Sequence, residues 1–397
     1  MKPRRIRTWW LPLVLLACRS ACAEIVLHVS PQGSDAWSGR FRAPADGGDD
    51  GPLASLIGAR DRIRALRSAA NAEEPVRVVV ADGRYTLAAA LVLEPRDGGT
   101  ATAPVVYEAA AEARPVFSGG RRLDGWTVHA DGTWSTRVPK IADREWRFEQ
   151  LFVNGRRATR ARTPNSFWFH VAEAWEDTPP QPRVNQGFRL PADAFAAIEA
   201  VAPDELTAVL VKIYHRWDLS GRFIGGVDRG ERAVLTAGGP MKPWNRWGRD
   251  SVVVFENARA FLDAPGEWFL DPDGTLFYRP LPGETPDTSE VVAPVVDGWI
   301  RLAGDPQKGT FVEHVAFRGL TFHHGQWLTP AQGFEPMQAV AWIDAMVMAD
   351  GARNVILDHC EFGHFGRYGT WFRRGCRDCT IRSCHFFDAG AGGVRIG

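Results

Sequence analysis

The chain has 397 residues, of which 45% are hydrophobic and 24% charged, with 47 basic and 47 acidic side chains. Five of the basic residues and none of the acidic ones fall within residues 1–23, so the remainder carries 42 basic against 47 acidic, a net charge of −5. That balance excludes nucleic acid as an expected partner, because binding the phosphate backbone calls for a basic surface.

Residues 1–23 have the form of an export signal. Lys2, Arg4, Arg5 and Arg7 precede the apolar run TWWLPLVLLAC, and Ala21-Cys22-Ala23 supplies a small-x-small cleavage site. Eleven residues cannot cross a bilayer, and no later run is a transmembrane candidate. The mature protein is therefore expected to begin near Glu24 and to be periplasmic or secreted. Leu15-Leu16-Ala17-Cys18 also resembles a lipobox, which keeps lipid anchoring open.

After the signal, Ile25–Ser30 reads as a strand. Leu53, Leu56, Ile57, Ile63 and Leu66 then recur at helical spacing, predicting one amphipathic helix that caps a stack of strands. Short β-rich runs follow at Val76–Val80, Leu91–Leu93, Val105–Tyr107 and Val116–Phe117, separated by turn residues. Residues 24–120 are accordingly assigned to the cap and the first turns of the stack. Residues 121–304 lose this pattern and hold ten of the sixteen tryptophans, with a hairpin signal at Leu151–Val153 followed by Asn154-Gly155. They are expected to form an inserted β-rich domain. The run RRATRART is expected to place Arg156, Arg160 and Arg162 on one strand face, either solvated or contributing to a polar cleft.

From about residue 305 onward the stack is expected to resume. Between Ala345 and Gly397 the sequence repeats every 24 residues, bringing Gly351 onto Gly375, Cys360 onto Cys384, Phe362 onto Phe386 and Gly366 onto Gly390. Two or three apolar runs per period, divided by Gly or Asn/Asp turns, are too short for helix pairs. Such a period buries its apolar residues only by stacking on its neighbours. The fold class expected is all-β, a right-handed parallel β-helix of the pectin-lyase-like kind, with an N-terminal capping helix and the inserted domain. The last repeat stops five residues in, with no polar cap, so the chain is expected to lack further turns. Cys376-Arg377-Asp378-Cys379 with Cys360 and Cys384 superficially suggests zinc, but the repeat accounts for Cys360 and Cys384 as stacked core thiols, and no metal is expected.

The register also aligns polar residues. His364 and Asp388 each follow a stacked phenylalanine by two positions, and strands about 4.8 Å apart would make them neighbours. A carboxylate beneath an imidazole forms a plausible acid/base unit, or a structural hydrogen bond at a turn. His324, two residues after Phe322, is expected to extend the column. Arg395 follows Trp371 and Val347 in another column, and with Tyr368 and Trp327 these aromatics could stack on sugar rings.

GGRRLDGW (Gly119–Trp126), EQLFVNGRRATRART (Glu149–Thr163), GLTFHHGQW, CEFGHFGRYGTWFRRGC and DAGAGGVRIG resemble the parallel β-helix glycosidases of glycoside hydrolase family 141. The resemblance runs from the strand after the signal to Gly397. It implies action on plant cell-wall or related polysaccharides, as an α-L-fucosidase or xylanase, and family members that continue for several more turns. Under this reading the partner is a polysaccharide or oligosaccharide, the protein is a monomer, and no cofactor is needed. Asp388 and His364 are the candidate catalytic residues, with a second carboxylate expected beyond Gly397. His324, Trp327, Tyr368, Trp371 and Arg395 are the candidate substrate-binding residues. Two alternatives stand beside it: a polysaccharide lyase acting on a uronate, for which Ca²⁺ would be the cofactor, and a glycan-binding module without chemistry.

Overall fold

The computed structural model describes residues 24–70, 74–139, 141, 145–176, 186–337, 340 and 342–397, and the expected export signal lies outside them. The described structure is mostly β, with two α-helices at Leu56–Ala70 and Ala192–Glu199. No helix among the described residues is long and apolar enough to cross a membrane.

Three large sheets are built from parallel strands only, beside a small parallel pair of Val312–Glu313 with Ala352–Arg353. The first runs in the order Ile25–Val29, Val76–Val80, Val105–Ala109, Val315–Arg318, Ile356–Asp358 and Thr380–Arg382. The second joins Arg84–Thr86, Val116–Ser118, Thr321–Gly325, Glu361–Phe365 and His385–Ala389. The third joins Leu91–Leu93, Ile300–Ala303, Ala345–Asp350, Tyr368–Phe372 and Val394–Ile396. From Val76 onward the chain visits the three sheets in rotation, so equivalent residues of successive circuits lie one strand apart.

That geometry stacks like on like. Tyr85, Phe117, Phe322, Phe362 and Phe386 occupy successive positions of one column, with ring centroids 4.7, 5.3, 5.7 and 4.9 Å apart and interplanar angles of 22° or less. Trp299 packs against this column beside Phe322 and Phe362. Alternate residues of each strand point inward, giving one continuous core from Leu27 to Phe372. The helix closes its N-terminal side through Leu56, Ala59 and Ile63, while Ile57 and Leu66 are only half-buried. Its start is fixed by Ser55, whose Oγ accepts the Gly58 amide at 2.9 Å. Cys360 and Cys384 are free thiols beside this core, as are Cys376 and Cys379.

Left-handed positions, one set near the end of second-sheet strands and another between strands, set the polar columns. His324, His364 and Asp388 have φ of 63°, 60° and 47°, and His314, Asn354 and Asp378 have φ of 51°, 51° and 53°. Left-handed backbone is uncommon outside glycine, but Asn, Asp and His tolerate it best. The repeat places such residues there because the chain must turn, whatever else they do.

The third sheet departs from the strict 24-residue period. Trp371 pairs with Met348, and Val347 instead pairs with Thr370. The column of Arg395 is therefore Met348, Trp371 and Arg395, and Val347 points the other way, into the main core. The residue lost from the period is regained at the next corner, since Arg353 again bridges Arg377.

Between the second-sheet strand Val116–Ser118 and the third-sheet strand Ile300–Ala303 the chain leaves the stack. Strands from Gly120 to Pro294 form mainly antiparallel sheets of four, five and eight strands, packed around two further apolar cores. Phe152–Val153 turns back onto Arg156–Arg157 through Asn154 and Gly155, both at positive φ (50° and 71°), which is the two-residue hairpin the Asn-Gly pair predicts.

Removing one ring from the aromatic column should be costly where it is fully enclosed. Phe362→Ala is expected to destabilise the protein by about 3–5 kcal/mol, and Phe386→Ala by less, because Phe386 is only partly buried. Denaturant unfolding of both variants checks this, and equal losses would contradict the graded burial.

Candidate active site

The inserted hairpin docks on the second parallel sheet through one arginine. Arg157 Nε donates to Asp388 Oδ1 at 2.7 Å, and its Nη2 donates to the carbonyls of Asp388 and Phe365 at 2.9 and 3.0 Å. The other carboxylate oxygen of Asp388 lies 2.8 Å from His364 Nδ1. Burial by itself would raise the Asp388 pKa, but the His364 hydrogen bond and the Arg157 charge outweigh it and hold the group below the usual carboxylate value. Asp388 is thus an ionised side chain with both oxygens engaged.

Above it stands a ladder of imidazoles. His324 stacks on His364 with centroids 5.6 Å apart and planes 12° from parallel, and Phe152 of the inserted hairpin leans on both rings. His324 Nδ1 is 2.8 Å from Ser118 Oγ, and burial, reinforced by the neighbouring histidines, drives its pKa down to about 2. His323 is displaced in the same direction, to about 4, by burial and by His364, although its Nε2 lies 3.0 Å from Glu361. The predicted His364–Asp388 pair and its extension to His324 are therefore brought together, at the seam between the inserted domain and the parallel sheets.

Beside this seam opens a cleft of about 630 Å³. The stack contributes Gly366, Gly390 and Trp327, and the inserted domain contributes Glu149, Arg157, Arg160, Lys212, Trp217, Asp218 and Glu256. Glycine is required on the stack side, since a Cβ on Gly366 would lie 2.3 Å from Trp327 Cβ and one on Gly390 would lie 2.3 Å from the Gly366 carbonyl oxygen. Trp327 is fixed by reciprocal hydrogen bonds between its backbone and the Gln150 amide, at 3.0 and 2.9 Å, and its ring meets Phe334 edge-on. Phe334 in turn exchanges two backbone hydrogen bonds with Gly221, and Glu335 pairs with the buried Arg222 at 2.7 Å. These contacts hold the segment after Trp327 against the inserted domain as a wall of the cleft.

The carboxylates of the cleft are individually positioned. Glu149 Oε2 accepts the Thr329 amide at 3.1 Å and its hydroxyl at 2.7 Å. Glu256 Oε1 accepts from Lys212 Nζ at 2.7 Å. Asp218 Oδ2 accepts from Lys242 and Asn245, both at 2.7 Å, and these bonds hold its pKa low against the opposing effect of burial.

Of the seven residues expected from sequence, Trp327 lines the cleft. His324, His364 and Asp388 are not among its lining residues, and Asp388 bonds the lining residue Arg157. Tyr368, Trp371 and Arg395 gather elsewhere, on the outward side of the third sheet with Ala345 and Met348. There the Arg395 guanidinium lies 3.6 Å from the Trp371 ring centroid, and Trp371 Nε1 donates to the Gly397 carbonyl at 2.7 Å. The expected arginine face also divides, because Arg156–Arg157, Thr159–Arg160 and Arg162–Thr163 enter three different sheets. Arg156 reaches Tyr278, Arg160 reaches Asn257 and stays in the cleft, and Arg162 bonds the Pro164 carbonyl. Sequence reasoning passed over Arg157, His323 and the cleft acids. The adjacent pair His323-His324 carried a signal for the ladder, whereas Glu149, Asp218 and Glu256 lie in a non-repeating region where spacing aligns nothing.

A model of the insertion domain of glycoside hydrolase family 141 matches residues 132–281. A solved structure described as a glycoside hydrolase superposes with a TM-score of 0.79 at 23% identity, covering 94% of this chain and 67% of its own, which establishes a common fold. XylC in complex with xylose gives a TM-score of 0.43 at 13% identity over 88% of this chain and 42% of that one. No curated protein matches the sequence.

The buried histidines generate a pH dependence of definite sign. An unfolded histidine titrates near 6.5, while His323 and His324 remain neutral in the fold to about 4 and about 2. The unfolded chain then binds more protons between those values and about 6.5, so stability present above that pH is lost as pH falls. Replacing both by Gln is expected to flatten the fall in unfolding free energy between about pH 6.5 and pH 4. An unchanged slope in pH-dependent denaturation would place the acid sensitivity elsewhere.

Proposed function

Taking the chain as a glycoside hydrolase that carries the family 141 insertion domain, we propose that it is exported and hydrolyses a plant cell-wall or related polysaccharide, of the α-L-fucoside or xylan type, in the cleft beneath that domain. The carrying observation is the composition of the cleft. Trp217, Trp327 and Phe334 offer apolar faces, with Glu149, Glu256 and Arg160 between them. Pyranose rings present apolar faces and a rim of hydroxyls, so such a wall suits them. The three parallel sheets, visited in rotation, are read as the turns of a right-handed parallel β-helix, with the inserted domain running from about Gly120 to Pro294; it ends before the expected boundary near residue 304, because Ile300–Ala303 already pairs within the third sheet.

Hydrolysis through an oxocarbenium-like transition state uses two carboxyl groups. Asp388 has both oxygens bound and does not line the cleft, so its role in this reading is positioning: with Arg157 and His364 it fixes the inserted hairpin and hence the cleft. Glu149 and Glu256 are the carboxyls this reading assigns to the chemistry, and no metal or cofactor enters it.

Incubation with aryl α-L-fucosides, aryl xylosides and xylan is expected to release the aryl group or new reducing ends without an ultraviolet-absorbing unsaturated uronate. Glu149→Gln and Glu256→Gln are each expected to lower turnover by roughly 10²-fold or more at an unchanged unfolding midpoint. Unsaturated product would establish a lyase instead, and full turnover by both variants would remove the cleft acids from the reaction.

A further inference from the structure

Trp217 and Trp244 are 66% and 64% exposed. Trp217 stands at the tip of the hairpin joining Leu210–His215 to Asp218–Asp228, where Arg216 turns the chain at φ 46°. It is also a wall residue of the cleft. Trp244 belongs to the loop joining Ala233–Ala237 to Val252–Glu256, and the two loops are tied together. Asp218, the residue after Trp217, receives Lys242 and Asn245 at 2.7 Å each, and Arg216 Nη1 donates to the Trp244 carbonyl at 3.4 Å. Lys242 also donates to the Pro336 carbonyl, on a segment that lines the cleft as well. The ties are mostly buried: the side chains of Asp218 and Lys242 are each 9% exposed. A polar frame thus holds two large apolar rings out in water at the edge of the cleft.

We propose that Trp217 and Trp244 form an extended binding rim on which a glycan chain continues beyond the cleft, so that the ligand is a polymer or long oligosaccharide rather than a single terminal sugar. The inference rests on the glycan-hydrolysing reading of the cleft. Continuity decides the occupant, because Trp217 belongs to both surfaces. An indole face stacks on the apolar face of a pyranose, and successive rings of a chain would meet one residue and then the other.

Affinity electrophoresis in gels containing soluble arabinoxylan or rhamnogalacturonan reads binding without requiring turnover. Wild type is expected to be retarded by at least one of them, and Trp244→Ala to lose roughly two- to tenfold in affinity at an unchanged unfolding midpoint, with Trp244→Phe retaining most of it. Trp217→Ala should lose at least as much. Retardation of Trp244→Ala equal to wild type, or no retardation of wild type by either polymer, overturns the rim. Retardation that depends on tryptophan with no hydrolysis of any substrate leaves the rim standing and overturns the hydrolase reading alone.

Discussion

The Arg157–Asp388 contact is the interaction on which the shape of the candidate site depends. One guanidinium satisfies a carboxylate oxygen and two carbonyls of the parallel stack, and Phe152 on the same hairpin packs against His324 and His364. The inserted domain is joined to the stack covalently only at Gly119–Gly120 and after Pro294, so its orientation has to be fixed by such contacts. Because the charge pair is partly buried and the same guanidinium also satisfies two backbone carbonyls, removing one side would leave the other without its partner.

That anchor is available because the stack delivers the same backbone geometry at every turn. His324, His364 and Asp388 are set by the backbone first, each held at positive φ as the fourth residue of a five-residue strand of the second sheet, where the ladder pairing skips a position. A small set of residue types tolerates that backbone, and the same set carries proton-transfer and ion-pairing chemistry. The column reads as catalytic in the sequence, and its observed partners are Ser118 for His324, Asp388 for His364 and Arg157 for Asp388. The adjoining glycines, Gly366 and Gly390, have a complementary part, since side chains there would fill the cleft or strike its walls.

The parallel stack was legible in the sequence to the level of individual pairs. Phe362 over Phe386 and His364 against Asp388 follow from a period of 24, because a parallel register repeats whatever the chain repeats. The period misled only where a corner absorbed a residue, which placed Met348 rather than Val347 beside Trp371. The cleft was not legible. Its acids come from Glu149, Asp218 and Glu256, far apart in a region without periodicity, and they converge through antiparallel pairings such as Leu210–Tyr214 with Val252–Glu256. The aromatic residues expected from the sequence divide in place, Trp327 lining the cleft and Trp371 packed under Arg395 on another sheet.

The central claim, that sugar binds beneath the inserted domain and not along the repeat, is tested most directly by a crystal structure with a bound xylo- or fuco-oligosaccharide. The account predicts sugar rings against Trp217 and Trp327, with hydroxyls reaching Glu149, Arg160 or Glu256. Sugar bound instead at Tyr368, Trp371 and Arg395, with the cleft empty, would contradict it.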